Sequence, residues 1–371
     1  MINKILVVFG TRPEAIKMAP LVKELKKVQI FETKVCVTAQ HREMLDQVLD
    51  FFNIIPDFDL NLMKRNQTLN ELSSRILGQM DAVFSEFEPD LVLVHGDTTT
   101  SSCVALAAFH SGIKIGHVEA GLRTYNKFSP FPEEVNRQIT SRLADFHFAP
   151  TERSKENLLS EKVSEKSVFV TGNTVIDALL WGVNNVDVNR KEIKEIKEFI
   201  DPSKKLIVVT GHRRENFGSK FNEFCLALKE LSGRTDVQII YPVHLNPNIK
   251  KVVYEKLSNI DNIKLMSPLE YEVFIWLLKE SYLVITDSGG IQEEAPSLGV
   301  PVIVTRDTTE RQEAIDSGNV ILVGTDKTII LESTIKLLEN IPFYKDMTSK
   351  KNPYGDGNSC QIIVDFLANL G

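Results

Sequence analysis

LVLVHGDTTTSSCVALAAFHSGIKIGHVEAGLR, residues 91–123, decides the fold. Two apolar β-type runs, LVLVH (91–95) and IKIGHV (113–118), flank a helix-like segment, TTTSSCVALAAF (98–109). A crossover of that length joins parallel strands rather than a hairpin. Each run closes on His-x-acid, His95/Asp97 and His117/Glu119. Strand residues two apart point to one side, so each pair is expected to share a face. Open parallel sheets take their ligands outside the carboxyl ends of their strands. Two adjacent strands bringing an imidazole and a carboxylate to that edge therefore read as an active site. A third acidic cluster, Pro132-Glu133-Glu134, follows in a Pro-rich loop.

Outward from this unit the same alternation continues. KILVVF (4–9), KVCVT (34–38) and FHFAP (146–150) complete a first series of strands; VFVTG (168–172), LIVVTG (206–211), VQIIYPV (237–243), YLVITD (282–287), PVIVT (301–305) and NVILVG (319–324) form a second. Helix-like stretches, among them Leu69–Phe87, Val135–Ala144, Phe221–Leu231 and Leu269–Lys279, lie between them. The pattern predicts an α/β fold of two doubly wound, Rossmann-like domains. The crossover between them is expected near Gly172-Asn173, with a charged, poorly structured stretch over 184–205 and a last helix near 357–370 packing back on the first half. The domains are accordingly expected at 1–170 plus 357–371 and at 171–356.

The 371 residues carry 43% hydrophobic and 25% charged side chains and a net charge of -7, with no Lys/Arg block, so nucleic acid is not an expected partner. Cys36, Cys103, Cys225 and Cys360 are scattered without metal-ligand spacing and read as reduced thiols. MINKILVVFG reads as a first strand rather than a signal peptide, and no run approaches a membrane span. A soluble cytoplasmic protein is expected.

GTRPEAIK (10–17) opens a helix after the first strand, and its start would offer Arg12 and Lys17 to an anion. TDSGGIQEEAPSLG (286–299) is the stronger phosphate signal. Ser288, Gly289 and Gly290 begin a helix that a nucleotide diphosphate could approach closely, and Glu294 lies one turn in. GHRREN (211–216) sets His212, Arg213 and Arg214 at another strand end, suited to an anionic leaving group. The acids have ordinary alternatives: Asp97 as a helix cap, Glu119 paired with Arg123, Glu133 and Glu134 as first-turn acids. Metal binding by His95, Asp97, His117 and Glu119 lacks an HExxH or equivalent spacing, so no metal is expected. Neither GxGxxG nor a P-loop is present at these strand ends, and His110 and His147 read as structural.

GTRPEAIKMAPL, TAQHREMLDQVL, HGDTTT, GHVEAGLR, FPEEVNR, GNTVIDALLW, TGHRREN, YPVHLNPN, TDSGGIQEEAPSLG, RDTTER and NPYGDG, in this order from Val7 to about Gly357, resemble the non-hydrolysing UDP-N-acetylglucosamine 2-epimerases. The resemblance implies a glycosyltransferase-B-like fold with a central cleft, and cofactor-free interconversion of UDP-GlcNAc and UDP-ManNAc by a homodimer supplying cell-surface polysaccharide. It implies Asp97, Glu119 and Glu133 as acid–base carboxylates, and His212 and Arg12 on the diphosphate. Ser288, Gly289, Gly290 and Glu294 would hold UDP, Lys17 and Arg137 would line the cleft, and Phe274 would contact the uracil. Gln40, Glu43, Arg213 and His244 fall where some members bind a second, activating substrate, although Glu43 stands where some carry Gln. A glycosyltransferase with a UDP-sugar donor, a hydrolysing epimerase that releases ManNAc, and a silent UDP-sugar sensor are the alternatives.

Overall fold

The computed structural model describes residues 2–39, 42–64, 66–211 and 218–370. The chain divides into two compact units: unit 1, Met1–Trp181 with Tyr354–Gly371, and unit 2, Gly182–Pro353. Among the described residues no helix is long and apolar enough to cross a membrane.

Unit 1 holds strands β1 (Lys4–Phe9), β2 (Glu32–Val37), β3 (Phe58–Asp59), β4 (Leu91–His95), β5 (Lys114–Val118), β6 (Phe146–Ala149) and β7 (Val168–Val170), all parallel, in the order β3-β2-β1-β4-β5-β6-β7. Its helices are α1 (Arg12–Lys27), α2 (Arg42–Phe51), α3 (Leu69–Phe87), α4 (Thr99–His110), α5 (Glu133–Leu143), α6 (Glu152–Ser160) and α7 (Thr174–Asn185), the last of which runs on into unit 2. Strands buried on both faces read as unbroken apolar runs, which is why β1 and β4 were legible. Leu6, Val8, Val92 and Val94 pack on Ile76, Met80 and Phe84 of α3 and on Val104 and Ala108 of α4.

Unit 2 begins with α8 (Lys191–Phe199). It holds β8 (Lys205–Thr210), β9 (Val237–Pro242), β10 (Ile263–Met266), β11 (Leu283–Thr286), β12 (Val302–Val304) and β13 (Val320–Leu322), again all parallel, in the order β10-β9-β8-β11-β12-β13. Helices α9 (Ser219–Leu231), α10 (Pro247–Leu257), α11 (Tyr271–Glu280), α12 (Gly289–Ser297), α13 (Gln312–Asp316), α14 (Lys327–Glu339) and α15 (Ile341–Ser349) surround it. The chain then returns to unit 1 as α16 (Ser359–Ala368), where Phe366 lies 3.9 Å from the Phe169 ring and 5.5 Å from that of Phe146, centroid to centroid.

Several boundaries differ from those expected. VFVTG supplies β7, which joins the first sheet beside β6 and not the second. The units divide at Trp181/Gly182, not at 170/171, and again at Pro353/Tyr354, not at 356/357. Gly172-Asn173 is therefore internal to unit 1. The physical reason lies in the first half of α7: Ile176 and Leu179 are fully buried and Trp181 stacks on Phe52 at 4.8 Å. The charged stretch over 184–205 contains a helix, α8, which buries Ile193 and Ile196 among its lysines and glutamates.

In each sheet the strand order reverses once, at β1/β4 in unit 1 and at β8/β11 in unit 2. Such switch points open a crevice at the strands' carboxyl ends. Gly10–Arg12 and Gly96-Asp97 follow β1 and β4, and Gly211 and Asp287–Gly290 follow β8 and β11.

Candidate active site

At the unit 1 switch point, α1 starts directly after Gly10 and Thr11. A Cβ on Gly10 would lie 2.0 Å from Thr38 Oγ1 and 2.6 Å from Thr100 Oγ1, so this backbone is packed against its neighbours. Glu14 folds back over the helix start, accepting from the Gly10 and Thr11 amides at 3.1 and 2.8 Å, as the third residue of a capping box does. Its other oxygen accepts from Thr98 Oγ1 at 2.7 Å, which ties α1 to the β4–α4 loop. Burial raises the Glu14 pKa against these hydrogen bonds. Arg12, half-buried, occupies the first position of α1. Lys17 does not sit at the anion end of this helix; its ammonium is ion-paired with Glu119.

Glu119 follows β5 with φ +61°, in the left-handed region. Its Oε2 accepts from Lys17 Nζ and, at 2.8 Å, from Nδ2 of Asn173. His95 Nε2 lies 3.7 Å from the same oxygen. The side-sharing expected of His117 and Glu119 fails because strand alternation stops at Val118. His117 instead donates from Nε2 to the Gly96 carbonyl at 2.7 Å, under the β4–α4 loop. The imidazole nearest Glu119 comes from the neighbouring strand. Burial pushes His95 down to about 4 despite the Glu119 charge, and pushes His117 down to about 3 despite its bond to Gly96. Both rings are neutral near pH 7. Arg123 is not the partner of Glu119: it forms a two-pronged pair with Glu161 at 2.7 and 3.0 Å.

Asp97 is not a helix cap, a role taken by Thr98, whose hydroxyl accepts from the Ser101 amide at 3.1 Å. The Asp97 carboxylate pairs with Arg137 of α5, and its carbonyl accepts from Asn136 at 2.9 Å. Glu134 is structural. Burial pushes its pKa up, but bonds from the Thr124 and Tyr125 amides and from Gln138 outweigh it, leaving a lowered value and fixing the 124–131 loop. Glu133 is half-buried, and its Oε2 is buried with no hydrogen-bond partner among the described residues. Unit 1 thus has two strand-end carboxylates, each held by its own cation, and a third acid at the start of α5. Among the described residues no three His, Cys, Asp or Glu side chains are grouped to hold a metal.

At the unit 2 switch point, Ser288 precedes α12 with no side-chain cap bond, and its amide donates to Thr286 Oγ1 at 2.9 Å. Gly289 lies close to a neighbouring side chain: a Cβ there would meet the Arg311 guanidinium carbon at 3.1 Å, at the end of a flexible side chain. Gly290 lies under Glu294, whose Oε2 is 3.7 Å from the position its Cβ would take. Glu294 is buried and accepts from the Tyr271 hydroxyl at 3.3 Å. Arg311 pairs with Glu293 at 2.8 Å and with Glu310 at 2.7 Å, and Arg306 reaches Glu310 at 2.7 Å. Burial raises the Glu310 pKa, and the two guanidinium charges overcome this and bring it to about 2. The two guanidinium groups near the α12 start are thus balanced by the Glu293 and Glu310 carboxylates. Phe274 is half-buried on α11; His244 is exposed after β9, and Glu43 is exposed in the first turn of α2. His212, Arg213 and Gln40 lie outside the described residues.

Sequence reasoning missed Asn173, Glu14, Arg306 and Arg311 as site residues. Thr11-x-x-Glu14 carries the capping-box signature and could have been read. Asn173 follows a strand end as the other site loops do, but its approach to Glu119 depends on the tertiary fold.

The sequence profile described as UDP-N-acetylglucosamine 2-epimerase matches residues 23–368. A UDP-N-acetylglucosamine 2-epimerase of Escherichia coli (strain K12) is 56% identical over 370 residues, 99% of this chain and 98% of that protein. Among solved structures, the UDP-GlcNAc 2-epimerase of Neisseria meningitidis bound to UDP-GlcNAc is 51% identical, with a TM-score of 0.89 over 99% of this chain and 100% of that one. The UDP-GlcNAc 2-epimerase of Methanocaldococcus jannaschii in complex with UDP-GlcNAc and UDP is 33% identical, with a TM-score of 0.80 over 99% of this chain and 99% of that one.

Proposed function

The chain belongs to the UDP-N-acetylglucosamine 2-epimerase family, and on that premise we propose that it interconverts UDP-GlcNAc and UDP-ManNAc without a redox cofactor. The observation that carries this reading is the pair of strand-end carboxylates, Glu119 and Asp97, each fixed by a cation at the unit 1 switch point. Inverting C2 of an N-acetylhexosamine means removing a hydrogen of very low acidity. Elimination makes this possible: a base takes the C2 proton, the C–H electron pair becomes the C1–C2 double bond, and UDP departs with the C1–O pair. Re-addition of UDP to the resulting 2-acetamidoglucal, with the proton delivered to the opposite face, gives the epimer. Acid–base groups are therefore needed on both faces of the ring, and Asp97, Glu119 and Glu133 are assigned to them.

Charge develops on the departing diphosphate and calls for preorganised donors. Arg12 and His212 are assigned to it, and the α12 start with Ser288, Gly289 and Gly290 holds UDP. Glu294 is assigned to the nucleoside and Phe274 to the uracil. A cytoplasmic homodimer accompanies the assignment.

Incubation with UDP-GlcNAc alone in D₂O, followed by NMR, tests it. The epimerised product is expected to carry deuterium at C2, with UDP and glycal accumulating slowly. Product with only hydrogen at C2 would falsify elimination, and an unchanged substrate would point to a transferase waiting for an acceptor. Free ManNAc would mark a hydrolysing enzyme.

A further inference from the structure

Asn173 is 2% exposed and both ends of its amide are engaged. Its Oδ1 accepts from the Val175 amide at 3.1 Å, at the start of α7, which leaves Nδ2 as the end that donates to Glu119 Oε2 at 2.8 Å. Its backbone amide donates to the Tyr354 carbonyl at 2.7 Å. Capping explains only the first of these bonds, and Ser, Thr or Asp would cap as well. What asparagine adds is an N–H aimed at a carboxylate.

Lys17 donates to that same oxygen. A carboxylate oxygen has two in-plane acceptor sites, so two N–H donors fill Oε2, and a proton could be placed there only by breaking one of the bonds. Oε1 is the other oxygen, 3.6 Å from the position a Cβ on Gly96 would take, at the β4–α4 loop that carries Asp97. We propose that Asn173 is a positioning residue that, with Lys17, holds the Glu119 carboxylate by Oε2 in the orientation from which it exchanges the C2 proton. As the C2–H bond breaks, the O–H bond forms on the Glu119 carboxylate, and the C–H electron pair enters the C1–C2 bond while UDP leaves with the C1–O pair. The inference rests on the acid–base role given above to Glu119.

Two variants separate positioning from capping. Asn173→Ser keeps a capping oxygen but is too short to reach Glu119. Asn173→Asp keeps the size and the cap and replaces the donor by an oxygen. The charged and titratable groups around Glu119 include Lys17 from α1 and His95 at the end of β4, whose ring also feels the charge of Asp97 in the loop after it. They are common to all the enzymes compared. Asn173→Ser is expected to lose about 10²-fold in kcat, at every pH, with KM for UDP-GlcNAc within about threefold of wild type. Asn173→Asp is expected to be equally slow at high pH and to recover at least about tenfold as pH falls. There the introduced carboxyl takes up a proton, because two adjacent carboxyls hold one more tightly, and its O–H can again donate to Oε2.

Equal kcat and coincident pH profiles for wild type and either variant would overturn the proposal, as would a loss confined to KM. Should Asn173→Asp not fold, the kcat-against-KM split of Asn173→Ser decides alone. A wild-type enzyme that incorporates no deuterium at C2 sinks the epimerase reading itself. Deuterium incorporation by the wild type with unaffected variants sinks only the role of Asn173.

Discussion

Glu119 holds a backbone conformation that costs a non-glycine residue about 1–2 kcal/mol, and its bonds to Lys17 and Asn173 keep it there. Strain held at a strand end by a buried carboxylate is what a proton-transfer site requires, because the acid must not relax toward solvent. Glu119→Gln or Asp97→Asn should lower kcat by about 10²–10⁴, while titration calorimetry should find UDP affinity within about threefold of wild type. The two neutral imidazoles give a second prediction. With folded pKa values of about 4 for His95 and about 3 for His117, below the ordinary imidazole value, protonation favours the unfolded chain. Their contribution to stability is thus intact above about pH 6.5 and is given up as pH falls toward those values. NMR of the ring nitrogens should show both residues neutral from pH 8 to pH 5, and an imidazolium signal from either above pH 5.5 would contradict the buried arrangement.

Among the elements, two glycines make contrasting predictions from one substitution. Gly121 has φ +92°, and a Cβ there would sit 2.2 Å from the Ser154 carbonyl oxygen at the start of α6, a backbone atom that cannot step aside. Gly121→Ala should cost about 2 kcal/mol or more, seen as a lower urea midpoint. A Cβ on Gly289 meets the ends of the Arg311 and Glu310 side chains, which can shift. Gly289→Ala should leave that midpoint nearly unchanged while weakening UDP binding about tenfold or more, because the methyl would stand between the ligand and the α12 amides.

Element existence was legible because strands buried on both faces have a plain apolar signature. LVLVH gives β4 residue for residue, and Leu69–Phe87 gives α3. Which sheet a strand joins is not encoded in its own residues, so VFV could not be placed before its pairing with β6 was seen. The short edge strands β3 and β10 gave too little signal to be read, the latter with Lys264 inside it. At the site, the acids stood out at strand ends, but their partners did not. The Asp97–Arg137 and Glu119–Asn173 contacts span 40 and 54 residues of sequence, and the left-handed turn at Glu119 breaks the alternation on which the strand argument relied.

For the molecule as a whole, unit 1 is built from two separate lengths of sequence. α16 supplies Phe366 against Phe146, Phe148 and Phe169, and the Asp177 carboxylate accepts from the Cys360 amide at 2.8 Å. Phe366→Ala should cost about 2–4 kcal/mol, and the loss should fall unevenly. Hydrogen exchange is expected to quicken in β6, β7 and α7, while β8, β9 and β11 of unit 2 keep their protection; uniform acceleration in both would refute this division. The same discontinuity orders the enzyme's birth on the ribosome. Unit 2 is one continuous length of chain, whereas unit 1 has all its residues only once Tyr354 and the closing helix α16 have been made. The tether from Tyr354 to Asn173, and with it the grip on Glu119, can close only after residue 354 has been synthesised.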